Sequence, residues 1–162
     1  MSYPPAVYHG DSGEISATLR RAGTEPELVN MPFSQTHFLA TGVGTGGQFG
    51  LYRWQFGPRE SGPAPHFHRT FSESFYILTG ALRLFDGQSW INGEPGDFLY
   101  VPPGGIHGFR NESGETASML LLFTPGAPRE EYFETLVEVA HGRTMSAEAR
   151  AEFMLRHDSH WI

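Results

Sequence analysis

The sequence predicts an all-β fold, an antiparallel sandwich or barrel, closed off by two short helices. Three observations predict it. Between residues 33 and 125, short apolar or alternating runs recur with Gly, Pro, Asn or Asp between them, the pattern of hairpin-linked strands. After Pro125 the period changes: Tyr132, Phe133, Leu136, Val137 and Ala140 recur at helical spacing. The chain has 162 residues, 39% hydrophobic and 18% charged, which suits one domain with a buried core.

Residues 1–12, with Pro4-Pro5 and small polar side chains, read as an arm, and Glu14 to Met31 as strands or turns wrapped on the barrel. The expected organisation is therefore an arm with wrapping strands over residues 1–32, a barrel over 33–125 and a helical extension over 126–162. Phe33 to Ala40 and Phe49 to Phe56 are strands, with Tyr52, Trp54 and Phe56 on one face of the second. The glycine-rich link Gly42 to Gly47 lacks the Lys-Ser/Thr ending and following helix of a phosphate loop, and reads as a hairpin connection. Pro58 to Pro65 interrupts the ladder. Further strands are expected at Phe75 to Leu78, Ala81 to Phe85, Ser89 to Ile91, Phe98 to Val101, Ile106 to Arg110 and Thr116 to Phe123, with a tight turn at Asp86-Gly87. A helix over Arg129 to His141 ends at Gly142, and Ser146 caps a second over Ala147 to Arg156. Both are expected across the outside of the barrel or at a subunit contact. The tail His157-Asp158-x-His160 reads as a solvated terminus.

Composition narrows the function. A net charge of -7 without a basic patch argues against nucleic acid and against anionic membrane. There is no cysteine, hence no disulfide and no thiolate chemistry. No secretory leader or membrane-length apolar run is present, so a cytoplasmic location is expected.

The chemistry concentrates in two stretches, His66 to Gly80 and Gly96 to Asn111. His66 and His68, two apart on an extended segment, project from the same face. Glu73 opens the next strand, and His107 follows the sharp turn Pro102-Pro103-Gly104-Gly105. Three imidazoles and a carboxylate suit one divalent transition metal, with Fe, Mn, Co, Ni, Cu and Zn all admissible, and leave coordination positions open for chemistry. Glu73 then has two candidate roles: metal ligand, or catalytic base toward an acidic substrate hydroxyl. Phe109 shares a face with His107, and Phe75 with Glu73; with Tyr52 and Trp54 these are candidate substrate-pocket residues, or else plain barrel filling. His9, His37, His141, His157 and His160 are scattered and carry no such pattern. Asn111 is expected to tie down a turn, and Tyr100 to pack at a strand end.

These stretches closely resemble the two motifs of the cupin superfamily. His66, His68, Glu73 and Gly80 fit the first motif with a four-residue gap before the glutamate; Gly96, Pro102, Gly104, His107 and Asn111 fit the second in full. Fifteen residues separate Gly80 from Gly96, a span for a single hairpin. Gly57 and Gly62 both miss the position of the family's upstream glycine, so the entry loop departs from the pattern. The resemblance implies a double-stranded jelly-roll barrel, a metal held by His66, His68, Glu73 and His107, and a homodimer paired through the N-terminal arm. Within the superfamily the chain is similar to the quercetinase-like dioxygenases. Membership there implies a small-molecule enolic or flavonol-like substrate bound by its hydroxylate, proton removal by Glu73, and dioxygen as partner. Two alternatives remain open. One is a non-redox isomerase, cyclase or lyase, for which Arg53, Arg69, Arg83 and Arg110 are the nearby basic residues. The other is a small-molecule-binding module without turnover.

Overall fold

Alternating burial along the strands builds two facing layers around an aromatic interior. In the computed structural model, which describes residues 2–162, the strands are β1 (Leu28–Asn30), β2 (Ser34–Ala40), β3 (Gly50–Phe56), β4 (His66–Phe67), β5 (Ser72–Thr79) and β6 (Leu82–Phe85). They continue with β7 (Trp90–Gly93), β8 (Phe98–Val101), β9 (Gly108–Arg110), β10 (Ala117–Thr124) and β11 (His160–Trp161). Two helices, α1 (Glu130–Ala140) and α2 (Ala147–Arg156), lie between β10 and β11. The first residue of the expected arm lies outside the described part. No described helix is long and apolar enough to cross a membrane.

One layer is a six-stranded antiparallel sheet in the order β1-β2-β3-β10-β5-β8. The other combines β7-β6-β9 with the pair β11-β4, joined by bridges between Ser61 and Asn111 and between His66 and His107. The crossings from β3 to β10 and from β5 to β8 give a jelly roll, as the sequence predicts. The register puts Tyr52 and Phe75 on either side of Leu121, and Glu73 beside Phe123. Tyr52, Phe75, Ile77 and Met119 are fully buried there. Burying side chains of this size contributes about 1.5–3 kcal/mol each, so this row adds several kcal/mol to the barrel's stability. Asn111 secures the corner after β9: its amide donates to the Gly57 and Glu115 carbonyls (2.8 and 2.7 Å), and its Oδ1 accepts from Ser113.

Four sequence expectations change. Phe85 pairs with Trp90, so the β6–β7 loop has four residues rather than a two-residue turn. The Asp86 carboxylate accepts the Gln88 and Ser89 amides, both at 2.8 Å, and this side-chain turn replaces the tight hairpin. Tyr100 is 58% exposed on edge strand β8, so it does not pack at the strand end. The third change concerns α1, which is not confined to the outer surface. Its Phe133 ring meets Tyr52 and Trp54 edge-on at 5.3 Å each, because the aromatic side of the helix fills the interior left between the layers. Helix α2 stacks Phe153 on Tyr132 of α1 at 5.5 Å, and the Ser146 hydroxyl caps it by accepting from the Ala149 amide at 3.1 Å.

The fourth change is the tail. It is a built part of the barrel rather than a solvated end: His160 pairs with Phe67 and Trp161 with His66, while Ser159 is 1% exposed. The edge of β4 would otherwise present unpaired amides and carbonyls, and β11 satisfies them.

Candidate metal centre

Backbone pairing brings the four predicted residues together. His66 and His107 face each other across a two-way bridge, each amide donating to the other's carbonyl at 2.9 Å. The Gly104 amide donates to the His68 carbonyl, pinning the Pro102 to Gly105 turn against the first histidine pair. Gly104 holds a φ of 83°, the left-handed region that glycine enters without strain. Glu73, second in β5, reaches in from the opposite layer. The imidazole ring centroids lie 4.4 to 5.2 Å apart, and all four side chains are at most 4% exposed.

One ligand atom from each of the four residues lies within 4.8 Å of the others. Nitrogen and oxygen ligands about 2.1 Å from a shared ion sit roughly 3–4 Å from one another, so small side-chain adjustments suffice. The hydrogen bonds also favour metal. Each histidine Nδ1–H donates to a main-chain carbonyl: His66 to Ala64 (2.9 Å), His68 to Asp158 (2.5 Å) and His107 to Gly105 (3.0 Å). A carbonyl only accepts, so Nδ1 carries a proton and each Nε2 is turned inward, able to ligate once it is deprotonated. Such partners fix ring orientation and raise ligand basicity. The donor set fits a divalent metal, and the four residues could hold one.

Among the protein groups alone, protons take the place of charge. The Nε2 atoms of His68 and His107 lie 3.2 and 2.9 Å from Glu73 Oε2. Burial pushes the Glu73 carboxyl up, but the bonds from His107 and His68 outweigh it and hold the acid well below the carboxylate range. Burial likewise lowers His107, yet the bond to Glu73 prevails and raises it. Burial, assisted by the charge of His107, brings His66 down to about 4. An imidazolium–carboxylate pair thus neutralises the cluster, and a cation that binds displaces the proton.

The cluster opens on a cavity of about 520 Å³. Trp54, Phe109, Phe133 and Trp161 wall it, with His66 and Glu73 at its base. Of the four aromatic candidates from the sequence, Trp54 and Phe109 line this space. Tyr52 and Phe75 stand behind the wall, both fully buried: the Tyr52 hydroxyl donates to the Glu130 carboxylate, and Phe75 packs behind His107 and Phe109 at 5.8 and 5.4 Å.

Sequence reading missed several residues here. Asp158, at a φ of 52°, receives the His68 bond on its carbonyl. Its carboxylate accepts from the Arg69 and Thr70 amides and the Thr70 hydroxyl at 2.7 to 2.9 Å, which shapes the loop joining His68 to Glu73. Trp161 lies against His66 at 4.9 Å. Arg129 and Arg150 also line the cavity. The tail's Asp and His were visible as a group, but their partner strand was not; Arg129 carried no signal beyond its place as the first residue of an expected helix.

Residues 52–123 match the Cupin domain family, and both motifs lie within or beside that span. The chain belongs to the cupin superfamily. It is 35% identical over 108 residues to the quercetin 2,3-dioxygenase of Bacillus subtilis (strain 168), a match covering 66% of this chain and 31% of that protein. A sugar phosphate isomerase from a cupin superfamily in Silicibacter pomeroyi superposes with a TM-score of 0.50 at 30% identity, over 58% of this chain and 60% of that one. The polyketide cyclase RemF of Streptomyces resistomycificus superposes at 0.55 with 21% identity, over 76% of this cupin and 96% of the cyclase, a likeness of fold.

Proposed function

We propose that this cupin is a metal-dependent dioxygenase for a small enolic or aromatic, flavonol-like substrate, with His66, His68, Glu73 and His107 holding one divalent transition metal. The observation that carries it is a buried three-histidine, one-carboxylate cluster at the base of an aromatic-walled cavity. Likeness to a quercetin 2,3-dioxygenase supports the same reading. A bound ion there supplies Lewis acidity and, if redox-active, an electron path to dioxygen.

The chain's own residues do the rest. Trp54, Phe109, Phe133 and Trp161 present ring faces and edges to a flat substrate and keep water from the cluster. Glu73 is the base. Held by a cation, or bonded to the His107 imidazolium at 2.9 Å, its carboxylate is a poor proton acceptor; released from the ion or bound to it loosely, it would regain basicity. It can then accept the proton of a substrate hydroxyl. A homodimer and a cytoplasmic location complete the proposal.

A second reading, a non-redox isomerase, cyclase or lyase, is favoured by Arg129 and Arg150 at the cavity, since basic residues suit anionic sugar or keto-acid substrates. The experiment separates the two. Protein loaded with Fe, Mn, Co, Ni or Zn is given quercetin in air and under nitrogen, with oxygen uptake and flavonol absorbance followed together. Oxygen-coupled loss of absorbance with a redox-active metal, absent in the His66→Ala/His68→Ala variant, is expected. Absence of uptake with every metal across a panel of enols sinks the dioxygenase, and turnover of a keto acid by the zinc form under nitrogen establishes the second reading.

A further inference from the structure

Of the two arginines at the cavity, Arg150 is a surface residue of α2, whereas Arg129 is 4% exposed. Its guanidinium lies 3.9 Å from the Tyr132 ring centre and 5.5 Å from those of Phe71, Phe123 and Phe133. Nη1 donates to the His157 carbonyl at 2.7 Å, while the buried Nε finds no acceptor. None of the ion pairs among the described residues includes Arg129.

A buried guanidinium without a carboxylate is costly, and so is a buried N–H without an acceptor. Aromatic faces relieve part of the first cost and none of the second. Among the described residues, Glu73 is the sole carboxylate lining the cavity. With three neutral imidazoles and that carboxylate, a divalent ion leaves a net charge of +1, and Arg129 adds another. Nothing in the wall balances them. With Nη1 committed to His157, the edge of the guanidinium fork that carries Nε is the one free to meet a carboxylate or enolate oxygen.

We propose that this cavity is an oxyanion site: a flat organic anion lies between the histidine–glutamate cluster and Arg129, which takes one of its oxygens through the Nε edge. Half of the charge argument rests on the metal reading above; the other half rests on Arg129 alone. The anion class is a carboxylate or enolate on an aromatic or conjugated body, set by the ring-lined walls.

Benzoate and its neutral counterpart benzamide are the probes, titrated by NMR against zinc-loaded and metal-stripped protein. The zinc form is expected to prefer benzoate by about tenfold or more, and the stripped form by about threefold, since charge-assisted bonds carry this much discrimination. Arg129→Met should retain wild-type zinc content by elemental analysis yet lose the preference of the stripped form, while Arg21→Gln, at an exposed arginine away from the cavity, keeps it. Equal binding of the two probes by stripped wild type overturns the proposal, as does a benzoate preference that survives Arg129→Met or disappears in Arg21→Gln. Should Arg129→Met fail to fold, the stripped wild-type comparison decides. Failure of the wild type to take up zinc counts against the metal reading instead, leaving the same comparison to judge Arg129.

Discussion

Three imidazoles anchored through Nδ1 can exchange only what sits on Nε2, and that makes the cluster a proton store as well as a ligand set. His66 is held at about 4 against an ordinary 6.5, so between these values the unfolded chain binds the proton more readily. Its contribution to stability is therefore full above pH 6.5 and is lost as pH falls toward 4. Glu73, also depressed, loses stability in the same direction below its ordinary 4.5. His107 is raised, so its contribution is present below 6.5 and fades as pH climbs through its folded value. Melting temperature of the metal-stripped protein should accordingly peak near neutrality and decline on both sides. His66→Gln should flatten the limb between pH 6.5 and 4, where the wild type loses on the order of 2–3 kcal/mol. A limb unchanged in the variant would show that His66 is not the group that titrates.

The element that most alters the picture is β11, two residues long, with Asp158 just before it. Asp158→Ala removes three hydrogen bonds from the loop between His68 and Glu73 and strains a left-handed φ that aspartate tolerates better than alanine. A loss of about 2 kcal/mol in denaturant unfolding is expected, with zinc affinity falling about tenfold in a chelator competition, as for other residues that orient metal ligands. Asp158→Asn should retain much of both. Zinc affinity untouched in the alanine variant would mean that the tail supports the fold but not the site. Long elements such as β3, β5 and β10 were legible because apolar residues alternate in the first and run together in the other two. Ser146 and Gly142 marked the α2 start and α1 end through local chemistry. Local pattern says nothing of a two-residue strand whose only reason to exist is a partner far away in the chain. The grouping of His66, His68, Glu73 and His107 was legible through the match of their order and spacing to the two cupin motifs; the supporting carbonyl of Asp158 and the guanidinium of Arg129 depend on tertiary placement and were not.

At the scale of the whole molecule, the outer charge and the cavity charge have opposite signs. The chain carries -7, whereas two arginines and one glutamate face the cavity. An organic anion that binds there would therefore approach against the far field and be drawn in only at short range. Salt screens the first interaction more than the second, because exposed charges are screened beyond about 10 Å at 0.1 M while buried ones are screened much less. Raising ionic strength from about 10 to 150 mM should speed benzoate association about twofold, measured by NMR exchange broadening. A rate that falls with salt would mean a cationic approach path.

The bond from His68 to the Asp158 carbonyl closes a circuit of 90 residues. Contacts that distant are made late, after shorter loops have formed. The third imidazole would thus be aimed only once the barrel has shut, and a cation bound there would join a finished vessel rather than seed the chain's condensation.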